Sequence, residues 1–397
     1  MTASAQVIGC RRAGRPPGEA SVLAAVVVAL MAIGVLVVYS ASRTVDPSED
    51  GYYFTRHLMF LPVALAAMVL AAWLPWRWLN SRWVALAAMV VAVGALVPLF
   101  ILSFTTASPM RWYRFGVGGL RFSLQPSEFA KVALVIFLAW YYGRERTDPR
   151  RFGRGFLLPM VVIGFVCILI AKEDFGTAAL IGAVATLVCL IAGCRLWYFF
   201  TMIPPAAFGF WLFVYRVPYR WDRIVAFLDP WAHQDGAGWH IVQSLMAIGR
   251  GGWFGVGLGA GIQKFYLPQC ANDFIFAVLV EEMGILGGIL VLGLFGALVW
   301  RGGRIIRNAP ERFAFLLASG LLLMIGLQAV MNIGVVTGAL PAKGIGLPFI
   351  SYGGSGLVVM SLAVGLLGSI ARGGRSRDLP PDHLRRSVYR RVAGVRQ

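Results

Sequence analysis

Ten apolar runs divide this chain, at residues 20–39, 58–74, 83–104, 127–142, 156–171, 177–192, 196–215, 273–300, 313–336 and 351–370. Most approach the roughly 20 residues that a helix needs to cross about 30 Å of hydrocarbon. In lipid every backbone N–H and C=O must be paired within the protein, so spanning segments are helices or closed barrels. Continuous apolar runs of this length, without strict alternation, are helical. Composition agrees, because 58% of residues are hydrophobic and 14% charged, more apolar surface than a core in water can bury. The expected fold is an all-α polytopic membrane protein with about ten transmembrane helices, a long outer loop and a re-entrant segment. The first run follows Arg11, Arg12 and Arg15 and precedes Ser40-Ala41-Ser42, as a signal peptide would. It exceeds the roughly 15 residues of such an apolar stretch and is taken as the first span.

Basic residues orient the spans. The net charge of +18, from 36 Lys plus Arg against 18 Asp plus Glu, has the sign that nucleic acid attracts. Most of these charges lie in short loops between apolar runs, where they set topology instead, and no nucleic-acid partner is expected. Arg77, Arg82, Arg144, Arg146, Arg150, Arg151, Arg154, Arg195, Arg301, Arg304, Arg307 and Arg312 fall in loops on the side of the N-terminal arginines. Ten spans return the chain to its starting side, so both termini are expected in the cytoplasm. The expected organisation is a cytoplasmic tail at residues 1–19, a membrane unit at 20–371 and a basic tail at 372–397 that anionic headgroups attract. Of Cys10, Cys167, Cys189, Cys194 and Cys270, only Cys270 falls in an outer loop, which leaves no external disulfide pair. No Cys and His spacing suggests zinc either.

Three outer segments depart from this pattern. In the first, aromatic and β-branched residues flank Gly118-Gly119 between Arg111 and Ser123, which suggests a hairpin, and Pro126 suits the first turn of the next helix. Its Arg and Trp residues suit either an anionic headgroup such as a phosphate or interfacial anchoring. Just below, Glu128 and Lys131 share a helical face inside an apolar run, where an ion pair is expected. The second segment is the long outer loop at 216–272. Within it, Trp239, Val242, Met246 and Gly249 form a helical stripe, which suggests an amphipathic helix on the membrane surface. His240 and Gln243 lie on that helix, and for His240 a packing role is the commoner alternative to a catalytic one. The glycine-rich run at 250–261 lacks the βαβ context of a dinucleotide site, so its glycines serve close approach to a helix or to a ligand. The third segment, 338–356, holds Pro341, Pro348 and six glycines, too broken for a spanning helix and too apolar for a solvated loop. A re-entrant turn satisfies both facts. Gln328 and Asn332, one helical turn apart beside it, suit hydrogen bonding between helices.

One carboxylate, Asp273, stands where the polar loop stops and the eighth apolar run begins. An Asp in that place either caps the helix through orphan N–H groups or serves chemistry on a membrane-anchored substrate at the lipid boundary.

Five ordered motifs then carry a resemblance. They are Gln125-Pro126-Ser127-Glu128-Phe129-Ala130-Lys131, Asp174-Phe175-Gly176-Thr177, Gly238-Trp239-His240-Ile241-Val242-Gln243-Ser244, Asp273-Phe274-Ile275-Phe276-Ala277-Val278 and the run from Gly346 to Ser355. Together they resemble the FtsW/RodA/SpoVE family of shape, elongation, division and sporulation proteins, and the runs from Ser244 to Gly251 and from Leu340 to Gly344 are more similar to its division and sporulation branch than to its elongation branch. The resemblance implies a peptidoglycan glycosyltransferase that polymerises lipid II at the outer face of the bacterial plasma membrane. It implies Asp273 as the catalytic carboxylate and a class B penicillin-binding protein as partner, beside other division or elongation proteins.

On that reading Asp273 takes the proton of the attacking sugar hydroxyl, and cations hold the departing diphosphate. Arg111, Lys131, Arg220 and Lys343 are the expected phosphate partners, with His240, Gln243 and Ser351 as further substrate-binding residues. A divalent metal such as Mg2+ held by Asp273 is an alternative role for the same residue. The sequence departs from the family where Gln269, Cys270, Ala271 and Asn272 replace the usual Glu-x-His-Thr, and where Gly356 replaces a second serine. Two other classes use the same features. A lipid II flippase would route substrate past Glu128, Lys131 and Glu281, and an inactive scaffold would recruit a division transpeptidase.

Overall fold

In the computed structural model, residues 18–42, 52–105, 111–117, 120–267 and 269–375 are described. The outermost parts of both expected tails, and the Gly118-Gly119 turn, lie outside the described residues. Helices stand at each of the ten apolar runs, so the all-α polytopic fold holds. They are α1 (Glu19–Ala41), α2 (Tyr52–Trp73), α3 (Arg82–Leu102), α4 (Pro126–Gly143), α5 (Leu158–Ala171) and α6 (Phe175–Ile191), then the segmented stretch described below. After it come α11 (Ile275–Arg307), α12 (Arg312–Val336) and α13 (Gly354–Arg375). Eight of these regions are long and apolar enough to cross a membrane, and α6 is apolar but shorter. The remaining helix, α4, carries the charges of Glu128 and Lys131, which are 2.8 Å apart and both buried, as expected for a pair inside an apolar run. The strands β1 (Tyr113–Val117) and β2 (Leu120–Leu124) form the expected antiparallel hairpin, and Pro126 opens α4.

Four boundaries differ from the sequence reading, each for a visible reason. Residues 196–215 do not form one rod. They break into α7 (Leu196–Phe200), α8 (Ile203–Phe210) and a π-helical turn (Trp211–Tyr215), because Pro204 and Pro205 lack the N–H groups that would continue α7. The long loop contains α9 (Pro218–Leu228) and α10 (Trp239–Gly251). One face of α10, with Ile241, Val242 and Ala247, is buried against the protein, and Ser244 Oγ donates to the Val336 carbonyl at 2.7 Å, while Met246 and Gly249 of the expected stripe are exposed. The eighth span starts at Ile275 and is interrupted at Gly284. The last span starts at Gly354, after a non-helical strap at 338–353.

The break at Gly284 explains the glycine-rich run. Gly284 has φ +72°, and a β-carbon there would sit 2.3 Å from the Trp253 carbonyl oxygen. Backbone hydrogen bonds from Val256 N to Glu281 O (3.0 Å), Gly257 N to Glu282 O (3.1 Å) and Ile285 N to Gly252 O (2.9 Å) dock the run onto the interrupted helix. The side chains below complete the seal. Glu281 accepts from Ile262 N (2.9 Å), while Glu282 pairs with Lys264 (3.0 Å) and accepts from Ser40 of α1. Gly251, Gly255 and Gly261 therefore serve close approach to the helix.

Gly284→Ala should lose both the φ and the space, costing about 1–3 kcal/mol or preventing folding. Gly293→Ala, further along the same helix where an added methyl would meet no atom within 4 Å, should be neutral or gain up to about 1 kcal/mol. Thermal unfolding of both variants in detergent checks the contrast.

Candidate active site

The turn before α11 places Asp273. Gln269 adopts φ +56°, and its carbonyl accepts from Asn272 N (2.9 Å) and Asp273 N (3.2 Å). The N-cap position of α11 is Phe274, with no side-chain cap bond, so Asp273 is not the cap. Its side chain is buried, and Oδ1 has no hydrogen-bond partner. Across from it the strap passes so closely that a β-carbon on Gly344 would lie 3.2 Å from Asp273 Oδ2 and 3.7 Å from Arg111 Nη1. A second carboxylate, Asp174, caps α6 by accepting from Thr177 N and Thr177 Oγ1, both at 2.9 Å. Arg111 Nη1 stands 4.0 Å from Asp174 Oδ2, and its Nε is buried without a partner.

These surroundings set the acidity of Asp273. Burial pushes its carboxyl up to about 7 and the Asp174 charge adds to the effect, while Arg111 and Arg223 oppose it. Burial also lowers the Lys343 ammonium, with the Asp174 charge opposing. A carboxylate of near-neutral pKa with a free lone pair suits general-base chemistry.

Two cavities meet at this carboxylate. The larger, about 990 Å³, lies between the hairpin, α4, the turn and the strap, and Arg111, Glu128, Asp174 and Lys264 line it. The smaller, about 250 Å³, is lined by Tyr219, Arg223, His240 and Lys343. Asp273, Gln269 and Gly344 border both.

The sequence-expected residues divide accordingly. Asp273, Arg111, Lys343 and His240 converge on the cavities, His240 with its ring stacked on Phe274 at 5.7 Å. Four others do not present a free group there. The Lys131 ammonium is held by Glu128 and by Gln328 Oε1 at 2.8 Å. Arg220 donates to the Ala171 (3.0 Å), Phe213 (2.7 Å) and Lys172 carbonyls, closing the C-terminal end of α5. Gln243 is buried in α10, away from both cavity linings. Ser351 borders the larger cavity, but its hydroxyl donates to Asn272 O and accepts from Leu347 N, both at 2.6 Å. Asp174 and Arg223 are the residues that reasoning on the sequence passed over. For Arg223 the signal was present in the spacing of Tyr219 and Arg223, one helical turn apart, and the guanidinium does lie over the Tyr219 ring at 4.4 Å.

Fold and site together define a multi-pass membrane protein that holds a buried carboxyl, its acidity shifted toward neutrality, at the junction of two cavities. The chain belongs to the FtsW/RodA/SpoVE family, described as cell cycle proteins, which matches residues 20–376. It is 40% identical over 354 residues to a probable peptidoglycan glycosyltransferase FtsW of Coxiella burnetii, covering 86% of this chain and 93% of that one. It is also 40% identical over 351 residues to the stage V sporulation protein E of Bacillus subtilis, covering 86% and 94%. Among solved structures it is similar to a chain from work on the structural coordination of polymerization and crosslinking by a peptidoglycan synthase complex, with TM-score 0.72, 25% identity and coverage of 89% and 97%. The rod shape determining protein RodA of Thermus thermophilus matches with TM-score 0.63 and 25% identity, covering 88% and 95%.

One departure from the family pattern has a local consequence. Glu128 Oε2 is buried without a partner, and a β-carbon on Gly356 would lie 3.5 Å from it, an ordinary contact. A hydroxyl placed there can donate to the orphan oxygen. Gly356→Ser should therefore stabilise the protein by about 1 kcal/mol, read as a rise in Tm in detergent, whereas Gly356→Ala should recover only the helix-propensity part.

Proposed function

We propose that this protein is a peptidoglycan glycosyltransferase that polymerises lipid II at the outer face of the bacterial plasma membrane during cell division or sporulation. The carrying observation is Asp273, buried, unpaired at Oδ1 and of near-neutral acidity, at the meeting point of two cavities. On this reading an acceptor hydroxyl gives its proton to the carboxylate as its oxygen forms a bond to the anomeric carbon of the donor. The bond from that carbon to the polyprenyl diphosphate breaks, and the electron pair leaves on the diphosphate oxygen. Attack opposite the leaving group inverts the centre. Arg111 and Lys343 supply positive charge near the reacting groups.

No three His, Cys, Asp or Glu side chains converge among the described residues, so there is no all-protein metal cage there. A divalent metal such as Mg2+ would be held by Asp273, whose Oδ1 is without a partner, and would supply positive charge beside the leaving group. We place both termini in the cytoplasm, following the arginine loops. The names of the relatives and the peptidoglycan synthase complex support the activity and a class B penicillin-binding protein as partner. Against a transport path, Glu128 and Lys131 pair with each other, and Glu281 is held by loop amides.

The test is strand synthesis from lipid II in detergent by the protein with its transpeptidase partner, where no sealed bilayer exists to be crossed. The wild type should make strands, and Asp273→Asn, similar in size, should lose about a hundredfold or more in rate while remaining folded and partner-bound. Undiminished synthesis by Asp273→Asn removes the assigned base. A wild type that moves lipid II across liposomes without making strands is a flippase, and one that does neither is a scaffold.

A further inference from the structure

The smaller cavity is built differently from the larger one. At about 250 Å³ it falls below the roughly 300–1,000 Å³ of clefts that enclose a drug-sized ligand, so it cannot take a peptide-bearing disaccharide. Its wall carries two cations, Arg223 and Lys343, neither in an ion pair with a carboxylate among the described residues. Arg223 is fixed by its position over Tyr219. His240 is fixed by stacking on Phe274, and its buried Nδ1 has no partner. A small, partly enclosed space with unpaired cations and an orphan imidazole nitrogen selects a compact multivalent anion. The larger cavity, about four times as big, is lined by Arg56, Arg111 and Arg114, and there Arg111 faces the Asp174 carboxylate at 4.0 Å.

Resting on the glycosyltransferase reading, we propose that the two cavities divide the reaction at Asp273. The smaller one seats the departing diphosphate on Arg223, Lys343 and His240, and the larger one receives the acceptor sugar. The anomeric carbon then lies between the hydroxyl that the carboxylate deprotonates and the leaving group. This arrangement makes Arg223, three residues beyond the carbonyl-bound Arg220, a residue that contacts substrate.

The experiment is a binding titration of the detergent-purified full chain with inorganic pyrophosphate, followed by displacement with farnesyl diphosphate. Wild type should bind pyrophosphate. Arg223→Ala and Lys343→Ala should weaken it by about tenfold or more each, Arg223→Lys should restore most of the affinity, and Arg114→Ala, on the wall of the larger cavity alone, should leave it within about threefold. Farnesyl diphosphate should compete, as a lipid-linked leaving group requires. Pyrophosphate binding that is absent, unchanged by Arg223→Ala and Lys343→Ala, or lost in Arg114→Ala instead overturns the assignment, and so does failure of farnesyl diphosphate to compete. Because binding is read without turnover, such a result alongside normal strand synthesis by the wild type defeats this assignment alone. Absence of strand synthesis defeats the reading beneath it.

Discussion

One buried amide holds the two halves of the site together. Asn332 Nδ2 donates to the carbonyl of Asp273 at 2.8 Å and to that of Ile345 at 2.7 Å, so a single side chain on α12 fixes both the turn that carries Asp273 and the strap facing it. Gln328, one turn earlier, donates to Gly346 O at 3.0 Å and accepts from Lys131. Tyr352 N donates to Ala271 O at 2.9 Å and Ser351 Oγ to Asn272 O, closing the same seam. Non-helical backbone at membrane depth persists only where such groups satisfy it. The amides thus do more than join helices, since they permit the breaks that bring Asp273, Gly344 and Arg111 into contact range.

The spans were legible because lipid imposes one strong rule, long apolar runs, and each run became helix. What escaped was the geometry of breaks. Pro204-Pro205 interrupts a run whose hydropathy is otherwise continuous, and Gly284 departs from helix through contacts made 30 residues away in the chain. A period of 3.6 in α10 correctly announced a helix, but of the stripe Trp239, Val242, Met246 and Gly249 only Val242 is buried, and the face that packs on the protein also holds Ile241, Ser244 and Ala247.

The site was legible where chemistry needs a rare residue in a rare place. A lone carboxylate at the start of a span drew attention to Asp273, and an ion pair inside an apolar helix to Glu128 and Lys131. Which cations remain free was not readable, because it depends on carbonyls and carboxylates distant in sequence. Arg220 meets the end of α5 and Lys131 meets Gln328, whereas Arg223 and Lys343 keep their charge for the cavity. Even Asp174, part of a motif, shows its importance only through Arg111 and its field at Asp273.

The central claim is that the environment of Asp273 keeps its carboxyl near neutrality so that the ionised form can act as base. Its pKa is raised from the ordinary aspartate range to about 7, so the acid form prevails below that point and the reactive carboxylate above it. Asp174, Arg111 and Arg223 are the charged groups whose fields reach it, and Lys343 lines the smaller cavity beside it. The decisive measurement is the pH profile of kcat/KM for strand synthesis in detergent between pH 5 and pH 9. The expected profile falls about tenfold per unit below an apparent pKa near 7 and is level above it, with Arg111→Gln moving the break upward. A profile that stays flat down to pH 5, with its break near an ordinary carboxylate, would contradict the claim.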